Sequence, residues 1–239
     1  MLARGRPPGG ERLPPDAGGN ATGKGERIGL SPAKELRLLT LVEQFGQIDI
    51  YLFDQILRGN ITPPLRVLDA GCGFGRNLVY LVREGCELFA VDTNEQAVER
   101  VRRLAGSIGN PSPAQNFRVA AVEQMPFSDA ISDLVICSAV LHFARSRNHF
   151  NAMFDELWRV LRPGGMLFCR LASRIGMDFE QIGDGIYRVG SSEWFLVDEP
   201  MLLDLTRDRD AELVDPLKTT VVQGSRCMTT WVLRKSKTE

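Results

Sequence analysis

The sequence predicts an α/β fold: a mostly parallel sheet with helices on both faces, finished by an antiparallel hairpin. Three observations lead there. Short apolar runs alternate with helical stretches between residues 65 and 171. A glycine-rich loop joins the first apolar run to the helix after it. Two extended runs separated by Gly224-Ser225 close the chain. Strands buried on both faces and alternating with helices form parallel sheets through right-handed crossovers.

Composition sets the frame. A chain of 239 residues holds one large core or two small ones. Its 29 Lys+Arg against 30 Asp+Glu give a formal net charge of −1. That balance counts against a nucleic-acid partner, which calls for a basic excess or stripe. No run of about 18 apolar residues is present, so no membrane span is expected. Cys72, Cys86, Cys137, Cys169 and Cys227 are widely spread and form no CxxC pair. They read as reduced thiols of a cytoplasmic protein rather than a disulfide framework or zinc site. His142 and His149 are the only histidines, so a multi-histidine metal centre is excluded and no metal is expected.

Met1 to Gly25 contains seven glycines and four prolines with only isolated apolar residues. Residues 1–30 are therefore expected to be a disordered tail, and residues 31–239 the folded domain. No apolar stretch follows Arg4 and Arg6, so the segment does not read as a secretory signal. Ser31-Pro32 reads as a helix N-cap with proline in the first helical position. A second amphipathic stretch covers residues 48–57, and Pro63-Pro64 stops it.

Strands are expected at 65–70, 87–91, 117–121, 134–137 and 166–171, with helices at 76–83 and 95–104. Phe150, Met153, Phe154, Leu157, Trp158 and Leu161 form one continuous helical face, the signature of core packing. Pro163-Gly164-Gly165 turns the chain into the fifth strand. Residues 186–189 and 193–196 flank Gly190-Ser191-Ser192 and read as a small hairpin. Asp198 caps a helix through Leu205, with Pro200 in its first turn. Residues 219–223 and 227–233 form the closing antiparallel pair.

The informative segment is Val67-Leu68-Asp69-Ala70-Gly71-Cys72-Gly73-Phe74-Gly75-Arg76-Asn77. Glycines in a strand-to-helix loop let backbone approach a ligand at the C-terminal edge of the sheet. A dinucleotide loop G-x-G-x-x-G would place glycine at position 76, where this chain has Arg76. Asp92 ends the second strand, where a carboxylate accepts hydrogen bonds from both hydroxyls of a ribose. Asp92 could also cap the following helix, a job Thr93 or Asn94 can take instead.

That loop, Asp92, the Met125-Pro126-Phe127 turn, Asp133-Leu134-Val135-Ile136-Cys137 and Leu161-Arg162-Pro163-Gly164-Gly165 resemble, in order and spacing, a class I S-adenosylmethionine-dependent methyltransferase. The resemblance covers residues 60–172 and is strongest to the small-molecule branch known as methyltransferase type 11. The loop is also similar to that of tellurite-resistance methyltransferases. It implies a Rossmann-like, seven-stranded, mostly parallel sheet, S-adenosyl-L-methionine as cofactor and a small-molecule acceptor.

The resemblance also implies residue roles. Gly71, Cys72, Gly73 and Gly75 would line the methionine end, and Asp69 would reach its amino group through water. Arg76 would meet its carboxylate, or point to solvent, or pair with an acid. Asp92 would hold the ribose, Thr93 would touch the adenine, and Val122 and Glu123 would flank it. The Ser138 carbonyl would face the amino group. One position departs: Ala121 stands where relatives often place an acid that bonds the adenine amino group. Glu123 or Gln124 must supply that contact, or it is missing.

Methyl transfer needs alignment more than acid–base chemistry. His142, past the fourth strand, is the candidate general base, and a packing role is the alternative. His149 reads as a helix-start residue. Tyr51 and Phe53 are candidate lid residues or core residues. The insertion at 173–197, with Tyr187, Trp194 and Phe195, is expected to wall the acceptor pocket. Three other readings stay open: an NAD-dependent oxidoreductase, a nucleic-acid methyltransferase, and a non-catalytic S-adenosylmethionine-binding module. The sequence leaves the acceptor, and monomer against homodimer, undecided.

Overall fold

A computed structural model describes residues 39–110 and 112–237. The expected tail and the helix start at Ser31 lie outside them. Helices α1 (Leu41–Phe45) and α2 (Ile50–Leu57) precede β1 (Arg66–Ala70). Then follow α3 (Val79–Arg83), β2 (Glu87–Asp92), α4 (Glu95–Ser107), β3 (Phe117–Val119), β4 (Ser132–Ser138), α5 (Arg147–Val160) and β5 (Leu161–Ala172). The hairpin β6 (Ile186–Val189) and β7 (Ser192–Phe195) leads to α6 (Glu199–Asp208), β8 (Ala211–Leu213), β9 (Lys218–Val222) and β10 (Arg226–Lys235).

The sheet runs β3–β2–β1–β4–β5–β10–β8. Strands β1 to β5 are parallel, and β10 returns antiparallel to β5. Order reverses between β1 and β4, which opens the crevice where ligands of such sheets bind.

The sheet has eight strands rather than the expected seven. The extra one arises because two strands share the outer edge of β10. Residues Arg226–Thr230 pair with β9, whereas Leu233–Lys235 pair with β8. The 186–196 hairpin forms as expected, as a separate two-stranded sheet.

Apolar burial on both faces explains the near-continuous apolar strands. One face packs α5 and α6 through Phe150, Phe154, Leu157 and Trp231, with Phe154 and Trp231 stacked 5.0 Å apart. The other packs α2, α3 and α4 through Leu52, Leu78, Leu81 and Val101 against Leu88 and Phe168. Helix starts are set by side-chain caps from Asp49, Asn94, Ser146 and Asp198. Because Asn94 caps α4, Asp92 is released from that duty. Among the described residues no helix is long and apolar enough to cross a membrane.

Candidate active site

The C-terminal ends of β1, β2 and β4 open into a cavity of about 700 Å³. The glycine loop forms its floor. Gly71 has φ +77°, and a Cβ there would sit 2.4 Å from Val140 Cγ2, so the loop after β4 closes directly on the loop after β1. Gly73 and Cys72 line the cavity beside it. Burial pushes the Cys72 thiol far up, so it stays neutral and serves as small filler.

Gly75 takes a different role from the one expected. It does not line the cavity; a Cβ there would meet Val101 of α4 at 3.0 Å. The third glycine seats the loop against a helix, and Arg76 follows it into the cavity wall.

Asp92 lines the cavity with Thr93. Its Oδ2 accepts the Gly73 backbone N–H at 2.8 Å and its Oδ1 accepts that of Asn94 at 2.9 Å. Each carboxylate oxygen keeps a further lone pair for a ligand hydroxyl.

The other end is cationic. Arg76 Nη2 donates to Ser138 Oγ at 3.0 Å and lies 3.4 Å from Asp49 Oδ2. Asp49 is fully buried, and Arg170 Nη1 donates to the same oxygen at 3.0 Å. Its Oδ1 caps α2 by accepting the Tyr51 N–H, and its own N–H donates to Asn77 Oδ1. Arg76 therefore pairs with an acid while still lining the cavity. Two guanidiniums share one carboxylate, which leaves this end attractive to an anion.

Asp69 lies behind the loop rather than in the cavity wall and is 2 % exposed. Burial raises its pKa to about 7, with Arg76 pulling in the opposite direction.

At the far end, Ala121, Val122 and Glu123 enter the wall from the single helical turn after β3. Arg145, His149 and Met153 face them from the start of α5 and the loop before it.

Three expectations are corrected here. Tyr51 does not reach the cavity; its hydroxyl hydrogen-bonds Thr220 on β9 and its ring lies under Arg170. Phe53 packs edge-on against Phe45, so both aromatics of α2 serve packing and Gln47 just before it reaches the cavity instead. His142 is 4 % exposed and outside the wall, held between Phe143 and Trp194, its Nδ1 accepting the Ala172 N–H at 3.4 Å. Burial lowers its pKa to about 4. Its neighbour Phe143 faces the cavity. The insertion aromatics also lie behind the wall: Trp194 packs on His142, Tyr187 pairs with Trp194, and Phe195 stacks on Phe150.

Among the lining residues that sequence reading gave no place in the site are Gln47, Phe74, Phe143, Arg145, His149 and Met153. Phe74 and Phe143 carried a visible signal, since large apolar residues in loops beside a strand end are candidates for a ligand wall.

Fold and site together give an α/β domain with a glycine loop, a carboxylate and a guanidinium around one cavity at the strand ends. Residues 68–169 match the methyltransferase domain family. The tRNA 5-carboxymethoxyuridine methyltransferase of Escherichia coli K12 is 30% identical over 114 residues, which is 48% of this chain and 42% of that protein. The malonyl-[acyl-carrier protein] O-methyltransferase of Enterobacter lignolyticus is 36% identical over 109 residues, 45% of this chain and 39% of that one. The chain thus spans under half the length of these curated relatives. Among solved structures, the Burkholderia thailandensis 1,6-didemethyltoxoflavin-N1-methyltransferase with bound S-adenosylhomocysteine superposes with a TM-score of 0.58 at 24% identity, covering 76% of each chain.

Residues 68–169 thus resemble a methyltransferase domain, and the fold of the chain is like that of solved structures holding S-adenosylmethionine or S-adenosylhomocysteine. Its residues fit that cofactor: a close-packed glycine loop, a carboxylate with free lone pairs and a guanidinium line one cavity.

Proposed function

We propose that this protein transfers a methyl group from S-adenosylmethionine to a small-molecule acceptor. One observation carries the reading: the glycine loop, Asp92 and Arg76 converge on a single cavity at the switch point of the sheet. When bound, the cofactor supplies a methyl on a sulfonium, already activated for in-line displacement.

The chain's own residues then hold and orient. Asp92 binds the ribose hydroxyls, Thr93 and Val122 flank the adenine, and Glu123 accepts from its amino group. Arg76 binds the carboxylate of the methionine end, while the Ser138 carbonyl and, from behind the loop, Asp69 attract its amino group. Gly71, Cys72 and Gly73 back that end, and Gly75 and Tyr51 support the wall from outside it.

Ala139, Val140 and Phe143 follow Ser138 along the wall and carry no titratable group. With His142 turned away, this stretch offers no general base. The acceptor therefore enters as a nucleophile with its own lone pair, such as a carboxylate, a neutral nitrogen or a thiolate, and Phe143 and Val140 exclude water.

Relatives point to two kinds of acceptor, a tRNA nucleoside for one and a malonyl group on a carrier protein for another. The net charge of −1 favours the small molecule over the nucleic acid. Release of S-adenosylhomocysteine is measured with a panel of small carboxylates, heteroaromatic nitrogens and thiols, and separately with bulk tRNA. Turnover with a small acceptor is expected. Turnover with tRNA alone overturns the acceptor class, and cofactor binding without turnover on either supports the non-catalytic module.

A further inference from the structure

We infer that Glu123 and His149 form a paired acceptor and donor that reads the adenine edge of the cofactor, in place of the acid that Ala121 lacks. The inference rests on the cofactor reading above and adds His149 as a specificity-determining residue.

Helix α5 packs against the turn Val122–Gln124, and the Met125 N–H donates to Glu156 of that helix at 3.0 Å. This brings His149, in the first turn of α5, alongside Glu123. The ring is fixed on one side. Its Nδ1 accepts the Arg145 backbone N–H at 3.0 Å, so the ring hydrogen sits on Nε2. That Nε2 is buried and has no hydrogen-bond partner. Glu123 Oε1 lies 3.0 Å away, off the N–H axis, so the contact is close without being a hydrogen bond. Arg145 reaches the same oxygen only at 4.0 Å, from a side chain 81% exposed.

A buried donor without a partner is rare and calls for a ligand group. Both side chains belong to the cavity wall, beside Thr93 and Val122. Adenine presents a ring-nitrogen acceptor, N1, next to an amino donor on C6. Nε2–H and a carboxylate oxygen 3.0 Å apart offer the complementary order, donor beside acceptor. Reading a purine by that edge distinguishes it from hypoxanthine, whose carbonyl at C6 and N–H at N1 reverse both signs.

The test compares S-adenosylhomocysteine with S-inosylhomocysteine by calorimetry on the full chain. The wild type is expected to prefer the adenine form by about 30-fold, the result of two hydrogen bonds set against two mismatches. His149→Phe is expected to weaken S-adenosylhomocysteine and bring the ratio to within about threefold, whereas His149→Gln, which keeps a donor amide, retains most of the preference. Glu123→Gln, with either amide orientation available, also flattens the ratio. A thermal melt of each variant confirms folding. An unchanged ratio in His149→Phe, or no preference in the wild type, overturns the inference. A folded wild type that binds neither nucleoside defeats the cofactor reading itself, and the pair's role with it.

Discussion

Gly73 donates its backbone N–H to Asp92 Oδ2 at 2.8 Å and so ties the glycine loop after β1 to the acid at the end of β2. One carboxylate shapes the floor of the cavity and, in the proposed function, also holds the ribose. Asp92→Ala removes both functions, and a loss of about 100-fold in S-adenosylhomocysteine affinity is expected by calorimetry. Asp92→Asn keeps one oxygen acceptor, and about tenfold is expected. Equal, small losses in both variants would show that the acid does not touch the ligand.

Asp49 fastens four elements at the cationic end: α2 through its cap, the glycine loop through Arg76 and Asn77, β4 through Ser138 and β5 through Arg170. Asp49→Ala leaves Arg170, 20% exposed, without its acid and also removes a helix cap. A loss of about 2–4 kcal/mol is expected in urea unfolding, since stranding a partly buried charge costs more than an exposed pair contributes. A change below about 0.5 kcal/mol would contradict the network's structural role.

Asp69 links stability to pH. Burial raises its pKa from 3.8 to about 7. The folded chain therefore keeps a proton there that the unfolded chain sheds near pH 4. Stability attributable to this group falls as pH rises from about 4 to 7, and the cost is complete above 7. Asp69→Asn is expected to flatten that part of the pH–stability curve and to stabilise the ligand-free protein at pH 8 by a few kcal/mol, at roughly 1.4 kcal/mol per pKa unit. The wild type is expected to bind S-adenosylmethionine more tightly as pH rises through 7, and the same variant to lack that strengthening. Parallel pH–stability curves for variant and wild type would refute the assignment.

His142 gives the opposite sign. Its pKa falls from 6.5 to about 4, so the unfolded chain takes up a proton first as pH drops. Its contribution is intact above 6.5 and is lost between 6.5 and 4. The ring lies outside the cavity wall, away from where an acceptor would sit. His142→Phe is expected to change kcat by less than about threefold, against the loss of about 100-fold that removing a general base brings. A loss of that size, with the melting temperature preserved, would restore the catalytic reading.

The sequence disclosed the parallel half of the sheet because each strand is buried on both faces and reads as a short apolar run, as in residues 67–70 and 134–137. The loop and Asp92 were legible because their geometry is local: a few residues and one strand crossover set it. What stayed hidden depends on distant packing. Strand β8 has three residues and no periodicity to reveal it. Tyr51 belongs to an amphipathic helix, but only the position of β9 decides that its hydroxyl meets Thr220. Between His142 and Phe143, one step along a single helical turn decides which ring sees the cavity, and the hairpin residue Trp194 occupies the other side. His149 gained its place from the packing of α5 on the turn after β3, a contact with no sequence signature.

Titration of the full chain with S-adenosylhomocysteine in a calorimeter probes the cradle most directly. A one-site isotherm with Kd of order 10 µM, about −7 kcal/mol, is expected. Absence of heat at millimolar nucleoside, from a preparation shown folded by circular dichroism, would contradict it.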